Sequence, residues 1–253
     1  LAIAKHPRLR IADEPTTALA GTVQAQLLDL IKVAQRETGA ATIMITHDMG
    51  VVAETADDVL VMYAGRPVER ANVSSIFHNA KMPYTIGLLE STPRVDKQAG
   101  GALSTIPGHP PMLIDLPQGC PFAARCPVVI DKCREKEPLA IPLNKDPNHN
   151  TACFRSHEIV DQRIDNTRMY PPPILADDVL AGTPRSERST VLSVTNLRKE
   201  FPLFKGALVK RRVGTARAVR GVDIDIKQGE CFAIVGESGS GKTTTLLEIM
   251  DLN

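Results

Sequence analysis

The stretch Ile234–Met250, IVGESGSGKTTTLLEIM, decides how this chain is read. Gly236 to Thr243 has the spacing G-x-x-x-x-G-K-T of a phosphate-binding loop. Ahead of it, CFAIV (Cys231–Val235) reads as a short buried strand with Cys231 in the core. Behind it, KTTTLLEIM reads as the start of a helix. Gly236, Gly239 and Gly241 let the backbone bend, so that N–H groups of the run Gly236, Glu237, Ser238, Gly239, Ser240 and Gly241 turn toward a phosphate. The helix N-terminus at Lys242, Thr243 and Thr244 adds a partial positive charge. Lys242 is expected at the β/γ-phosphates of ATP and the Thr243 hydroxyl on Mg²⁺.

The chemistry that such a loop lacks lies at the other end of the chain. RLRIADEPTTAL (Arg8–Leu19) runs from an apolar segment, Leu9–Ala12, into Asp13-Glu14-Pro15. Proline stops a simple strand, so the two carboxylates fall at its C-terminal edge. There Asp13 can hold Mg²⁺ through water and Glu14 can polarise an attacking water. A solvated strand end with a helix cap is the plainer alternative. A second apolar strand, Thr42–Ile45, ends in Thr46-His47-Asp48. His47 there can report a terminal phosphate or be structural. Between the strands, Val23, Leu27, Leu30, Ile31 and Ala34 recur on one helical face, with Gly39 as the stop. Strand, carboxylates, helix, strand and histidine make one α/β half-unit.

Composition bounds the rest. A length of 253 residues suits one or two domains. Thirty basic and 29 acidic residues leave a net charge of +1, which gives no reason to expect nucleic acid or an anionic membrane as partner. No apolar run reaches the ~18 residues that span a bilayer, and no signal-peptide pattern is present. Residue 1 is Leu.

ADEPTTAL followed by ITHDMGVVAETADDVLVMYAGRPVE resembles the Walker B, D-loop and H-loop region of an ABC-type ATPase, and GESGSGKTTTLL resembles the Walker A of another. In that family Walker A comes first, with a Q-loop and an LSGGQ signature in between. Here Gly236 follows Glu14 by 222 residues, and neither the Q-loop nor the signature occurs. A circular permutant would still need that subdomain. The order, the Leu start and the end soon after the loop fit a window on a tandem chain: the tail of one ATPase domain, a linker and the head of a second. The expected fold class is therefore α/β, with pieces of two P-loop NTPase domains.

SSIFHNAKMPYTIGLLESTPRVD (Ser74–Asp96) and LSTIPGHPPMLIDLPQGCPFAARCP (Leu103–Pro127) are similar to the C-terminal extension of the oligopeptide/dipeptide importer ATPases, a bacterial class that also serves nickel. VLSVTNLRKEFPLFKG resembles the partner ATPase's opening, which implies adenine stacking by Phe201; core packing is the alternative. The family's Ala-Leu-Asp D-loop is Ala18-Leu19-Ala20 here, which removes a carboxylate used between paired sites. Expected domains are 1–80 (tail of the first ATPase domain), 81–157 (extension), 158–190 (linker) and 191–253 (head of the second). The linker run Asp161–Thr190 mixes Pro, Ser and charge as an exposed connector does, and LVKRR (Leu208–Arg212) reads as a solvated loop between two strands.

Four of the five cysteines, Cys120, Cys126, Cys133 and Cys153, lie within 34 residues, at intervening counts of 5, 6 and 19. Those counts match neither the usual zinc nor the ferredoxin spacing. Metal binding, with His149 and His157 as possible substitutes, and free thiols both remain open; without a secretion signal, disulfides are not expected. The resemblance implies a [4Fe–4S] cluster, with Zn²⁺ as the alternative. It also implies an ATPase on the cytoplasmic face of the membrane, bound to integral-membrane permease subunits and indirectly to an extracellular solute-binding protein. The competing readings are a soluble tandem ABC ATPase acting on DNA and a non-catalytic metal-bearing scaffold. The first calls for a basic stripe and C-x-x-C pairs, neither of which is found.

Overall fold

The computed structural model describes residues 7–17, 19, 21–93, 103–166, 169–173, 180–205 and 211–251. Ala18 and Ala20 of the D-loop reading, and 208–210 of the basic loop, lie outside the described residues. The chain divides into two compact units, Leu1–Thr17 with Leu27–Leu175, and Ala18–Gln26 with Ala176–Asn253.

In the first unit β1 (Leu9–Asp13) and β2 (Ala41–Ile45) pair in parallel, with Leu9 opposite Ala41 and Asp13 opposite Ile45. A parallel pair needs a long crossover, supplied here by α1 (Gly21–Thr38). Gly39 ends that helix as expected: its φ is +63°, and its N–H reaches the Gln35 carbonyl at 2.9 Å. The buried stripe of α1 is rotated from the expected one. Leu28 and Ala34 are buried, whereas Val23 and Leu30 are 43% and 55% exposed. Spacing alone left out Leu28. α2 (Met49–Thr55) starts at Asp48, whose carboxylate accepts the N–H groups of Gly50 and Val51 at 2.8 and 3.2 Å. Only one face of the two-stranded sheet is covered among the described residues. Arg10 turns inward, while Leu9, Ile11, Ile43 and Ile45 stay exposed.

β3 (Asp58–Tyr63), β4 (Arg66–Asn72), β5 (Ile141–Leu143) and β6 (Asp146–Thr151) form an antiparallel sheet in the order β3-β4-β6-β5. The β3–β4 hairpin turns through Ala64-Gly65, both at positive φ (48° and 79°). A strand from far down the chain thus adds to β4, with Glu69 opposite Thr151 and Arg70 opposite Asn150. α3 (Val73–Asn79), α4 (Pro83–Ser91), α5 (Asp131–Glu135) and α6 (Ser156–Val160) complete this unit. Its core joins Val61 and Val68 of the sheet, Ile76 and Ile86 of the helices, and Phe122 and Ile159. Tyr63, Tyr84 and Phe122 meet there, ring centroids 4.6 to 5.4 Å apart.

Beneath that core the Glu69 carboxylate is fully buried. Its Oε1 accepts the Lys81 N–H at 2.6 Å and lies 2.7 Å from His149 Nε2, and its Oε2 accepts the Met82 N–H at 3.2 Å. One side chain therefore ties β4, the entry to α4 and β6 together. The exposed connector expected over 161–190 is interrupted at Met169 and Tyr170, which are buried. Glu90 accepts both of their N–H groups, and the Tyr170 hydroxyl donates to the Pro83 carbonyl. Gly87 gives them room, since a Cβ there would lie 2.9 Å from the Tyr170 ring.

In the second unit β7 (Thr190–Lys205) and β8 (Arg211–Lys227) pair antiparallel, and α7 (Lys242–Ile249) follows. The expected buried strand Cys231–Val235 is not formed. It is irregular, Cys231 is exposed and Val235 is 87% exposed. Among the described residues the sheet of this unit holds β7 and β8 alone, and the apolar run finds no neighbouring strand there to pair with.

Candidate functional site

Two of the expected catalytic residues meet in the first unit. Parallel pairing brings the ends of β1 and β2 level, so Glu14 and His47 leave the same edge. The Glu14 N–H donates to the Ile45 carbonyl at 2.9 Å, and Glu14 takes φ +44°, an unusual conformation for a side-chain-bearing residue. That bend, just before Pro15, points the carboxylate at His47, with Nδ1 2.9 Å from Oε1. Thr17 Oγ1 donates to the other oxygen, Oε2, at 2.8 Å. Thr17 was not singled out by sequence, although its position three residues after Glu14 in a turn is the available signal.

The hydrogen bond from His47, and then that from Thr17, holds the Glu14 carboxyl below its ordinary range. The same bond to Glu14 raises the His47 imidazole above its ordinary value. Both groups reach solvent, His47 being 82% exposed. The pair therefore offers an ionised carboxylate, able to accept a proton from water, beside a ring that can donate to an anion. Asp13 is exposed at the last position of β1, as a carboxylate meeting a cation through water requires.

The expected phosphate loop, Gly236–Thr243, falls in the second unit. Gly236, Gly239 and Gly241 all have positive φ (155°, 82° and 94°). At Gly241 the need for glycine is double, because a Cβ would also fall 2.4 Å from the Ala218 carbonyl oxygen. Lys242 Nζ donates to the carbonyls of Gly236 and Glu237 at 2.7 and 2.6 Å and lies 3.3 Å from Ser240 Oγ. The ammonium thus sits inside the curl of the loop. A Cβ on Gly236 would press on Ser240 Oγ, at 2.8 Å, and the φ of +155° at this position favours glycine. Ser238, Gly239 and Ser240 are exposed.

α7 begins at Lys242, and its first-turn N–H groups have no acceptor within the helix. Thr243 is exposed and Thr244 half-buried, so the Thr243 hydroxyl faces outward where a cation can reach it. Thr245, absent from the expected set, is buried and donates to the Gly241 carbonyl at 2.9 Å, pinning loop to helix. Donor N–H groups, an ammonium and a free hydroxyl are a donor set that fits a nucleotide phosphate with its Mg²⁺. Phe201 lies on β7, 42% exposed, with the Lys199 ammonium 5.6 Å from its ring.

The four cysteines meet despite their irregular spacing. Cys120, Cys126, Cys133 and Cys153 all line one small cavity. Gly119 makes this possible, since its backbone runs so close to α5 that a Cβ would fall 2.3 Å from the Cys133 carbonyl oxygen. The Cys120 N–H donates to that same oxygen at 2.7 Å. Burial pushes the Cys126 thiol up to about 11 and the Cys153 thiol up to about 12, and raises Cys120 as well. The Arg155 N–H donates to the Cys153 sulfur at 3.4 Å, a contact that favours thiolate, and four thiols lining one cavity are donors of the chemical kind a thiophilic metal takes. As the side chains stand, no group of three or more His, Cys, Asp or Glu among the described residues is arranged to hold a metal ion. His149, fully buried against Glu69, belongs to the core. No helix among the described residues is long and apolar enough to cross a membrane.

Comparison with known families matches two stretches of the chain. Residues 68–133 match the family described as oligopeptide/dipeptide transporter, C-terminal region, and residues 219–253 match the family described as ABC transporter. The oligopeptide transport ATP-binding protein OppD of Mycobacterium tuberculosis is 49% identical over 252 residues, covering 100% of this chain and 40% of that protein. The OppD proteins of Salmonella typhimurium and Escherichia coli are each 48% identical over 158 residues, covering 62% of this chain and 46% of theirs. The chain thus spans less than half the length of these relatives. On these matches the chain is similar to the ATP-binding proteins of oligopeptide transport, with one stretch like the oligopeptide/dipeptide transporter C-terminal region and another like the ABC transporter family.

Proposed function

We propose that this chain is part of the ATP-hydrolysing subunit of an importer for di- or oligopeptides or related solutes. The observation that carries the reading is the single colinear match to one oligopeptide transport ATP-binding protein along 252 residues, from the Glu14–His47 edge through to the phosphate loop. We further propose that Glu14 and His47 serve one composite nucleotide site and that Gly236 to Thr244 serve another, in two ATPase domains fused in one chain.

In the first site Glu14 accepts a proton from the attacking water while His47 donates to the γ-phosphate, and Asp13 would hold Mg²⁺. In the second, the loop N–H groups and Lys242 bind and orient the phosphates, Phe201 stacks on adenine, and Thr243 would hold Mg²⁺. Mg²⁺ held there would supply positive charge against the phosphates. Cys120, Cys126, Cys133 and Cys153 would hold a [4Fe–4S] cluster, or Zn²⁺ in its place, as a structural brace of the first unit. The partners are integral-membrane permease subunits at the cytoplasmic face, and through them a solute-binding protein outside.

Reconstitution tests this. The protein containing this stretch, purified with its permease subunits in vesicles, is expected to show ATPase activity stimulated by peptide-loaded binding protein. Stimulation by DNA instead, with no response to peptide, would overturn the assignment.

A further inference from the structure

Beside the cysteine cavity the first unit carries an open trough of about 560 Å³ between α5, β5 and α6, within the size range of ligand sites. Leu139 and Ile141, 74% and 55% exposed, belong to its apolar lining together with Phe154 and Val160. Its charged lining is one-sided. The carboxylates are already engaged: Glu137 with Arg66 at 2.8 Å, and Asp161 with Lys145 and Arg163 at 3.2 and 3.1 Å. Lys132, Lys136 and His157 also line the trough, and among the described residues none of them is in an ion pair. The Lys132 ammonium is held 4.4 Å over the Phe154 ring, so cation and apolar surface are presented together. The uncommitted charge is therefore positive, on a ground of exposed apolar side chains.

We propose that this trough is a docking groove for a short acidic segment of a partner protein, one that carries apolar side chains between its carboxylates. Apolar side chains would cover Leu139 and Ile141, and carboxylates would meet Lys132 and Lys136. A free anion answers only the lysines, and a neutral apolar segment answers only the lining. β5 is the edge strand of its sheet, and Pro142 within it withholds an N–H, so recognition falls to side chains rather than to strand addition. The inference does not depend on the transport reading, because it uses no residue of either nucleotide site.

The test is fluorescence anisotropy on the full chain, with fluorescein-labelled Leu-Glu-Phe-Asp-Leu-Glu-amide and the same peptide carrying Gln and Asn. Saturable binding of the acidic peptide is expected, at least ~tenfold tighter than the neutral one. Raising salt from about 0.05 to about 0.5 M should weaken it, since the contacts are exposed. Lys132→Glu with Lys136→Glu, and separately Leu139→Ser with Ile141→Ser, should each weaken it by ~tenfold or more. All four are exposed positions, so circular dichroism should show the fold unchanged. Equal binding of both peptides, indifference to the lysine pair in folded protein, or displacement by equimolar inorganic phosphate would each overturn the proposal.

Discussion

Replacing Glu69 by alanine tests whether one buried carboxylate fastens the lobe that carries the cysteines. Three donors converge on it, the N–H groups of Lys81 and Met82 and the His149 ring, and the side chains of Glu69 and His149 are both 0% exposed. Removing a buried acceptor costs about 1–3 kcal/mol for each donor left without a partner. Donors that share one carboxylate couple rather than add, so a loss of ~3–5 kcal/mol is expected. The exposed Lys32–Glu54 pair, at the same 2.7 Å, is the internal control. Glu54→Ala should cost no more than about 1 kcal/mol, because solvent already screens that pair. The chain has no Trp, so urea unfolding is best followed by far-UV circular dichroism, with hydrogen exchange at the Lys81 and Met82 amides as the local readout. Both amides should lose protection in Glu69→Ala. A loss below about 0.5 kcal/mol with both amides still protected would refute the reasoning.

Three further outcomes are expected. By NMR, His47 should titrate above an ordinary histidine, and Glu14→Gln should bring it back. The His47 contribution to stability is full below its unfolded value and lost as pH rises through the raised one. The Glu14 contribution is lost as pH falls through its lowered value, so the pair acts between the two. Gly241→Ala should abolish binding of a fluorescent ATP analogue, because its Cβ would meet the Ala218 carbonyl at 2.4 Å; retained affinity would show that the loop takes another path. Iodoacetamide at mildly alkaline pH should label exposed Cys231 first and Cys126 and Cys153 last, as mass mapping would read, since burial keeps those two thiols protonated.

What could be read from sequence followed local rules. Gly39 marked the end of α1, the Asp13-Glu14-Pro15 break marked the end of β1, and the glycine spacing marked the positive-φ bends ahead of α7. Readings that needed partners distant in sequence fared worse. Leu30 and Leu28 are two positions apart on a helix apolar over much of its circumference, and only the packing decides which of them is buried. CFAIV has the composition of a buried strand, but a strand also needs a neighbour. Met169 and Tyr170 looked like linker because the contacts that bury them, Glu90 and Pro83, lie about 80 residues earlier. The cysteines defeated spacing arguments for the same reason: the approach of Gly119 to the Cys133 backbone, not the intervals of 5, 6 and 19, brings them around one cavity.

The central claim is that Glu14 with His47 and the loop Gly236–Thr244 belong to two different nucleotide sites. Counting nucleotides tests it most directly. In the longer protein that contains this stretch, beryllium fluoride trapping of radiolabelled nucleotide should retain two per chain. Lys242→Ala should leave one, and Glu14→Gln should leave both bound while turnover falls. If Lys242→Ala removed all trapped nucleotide while the wild type held only one, the two motifs would share a single site and the account would be contradicted.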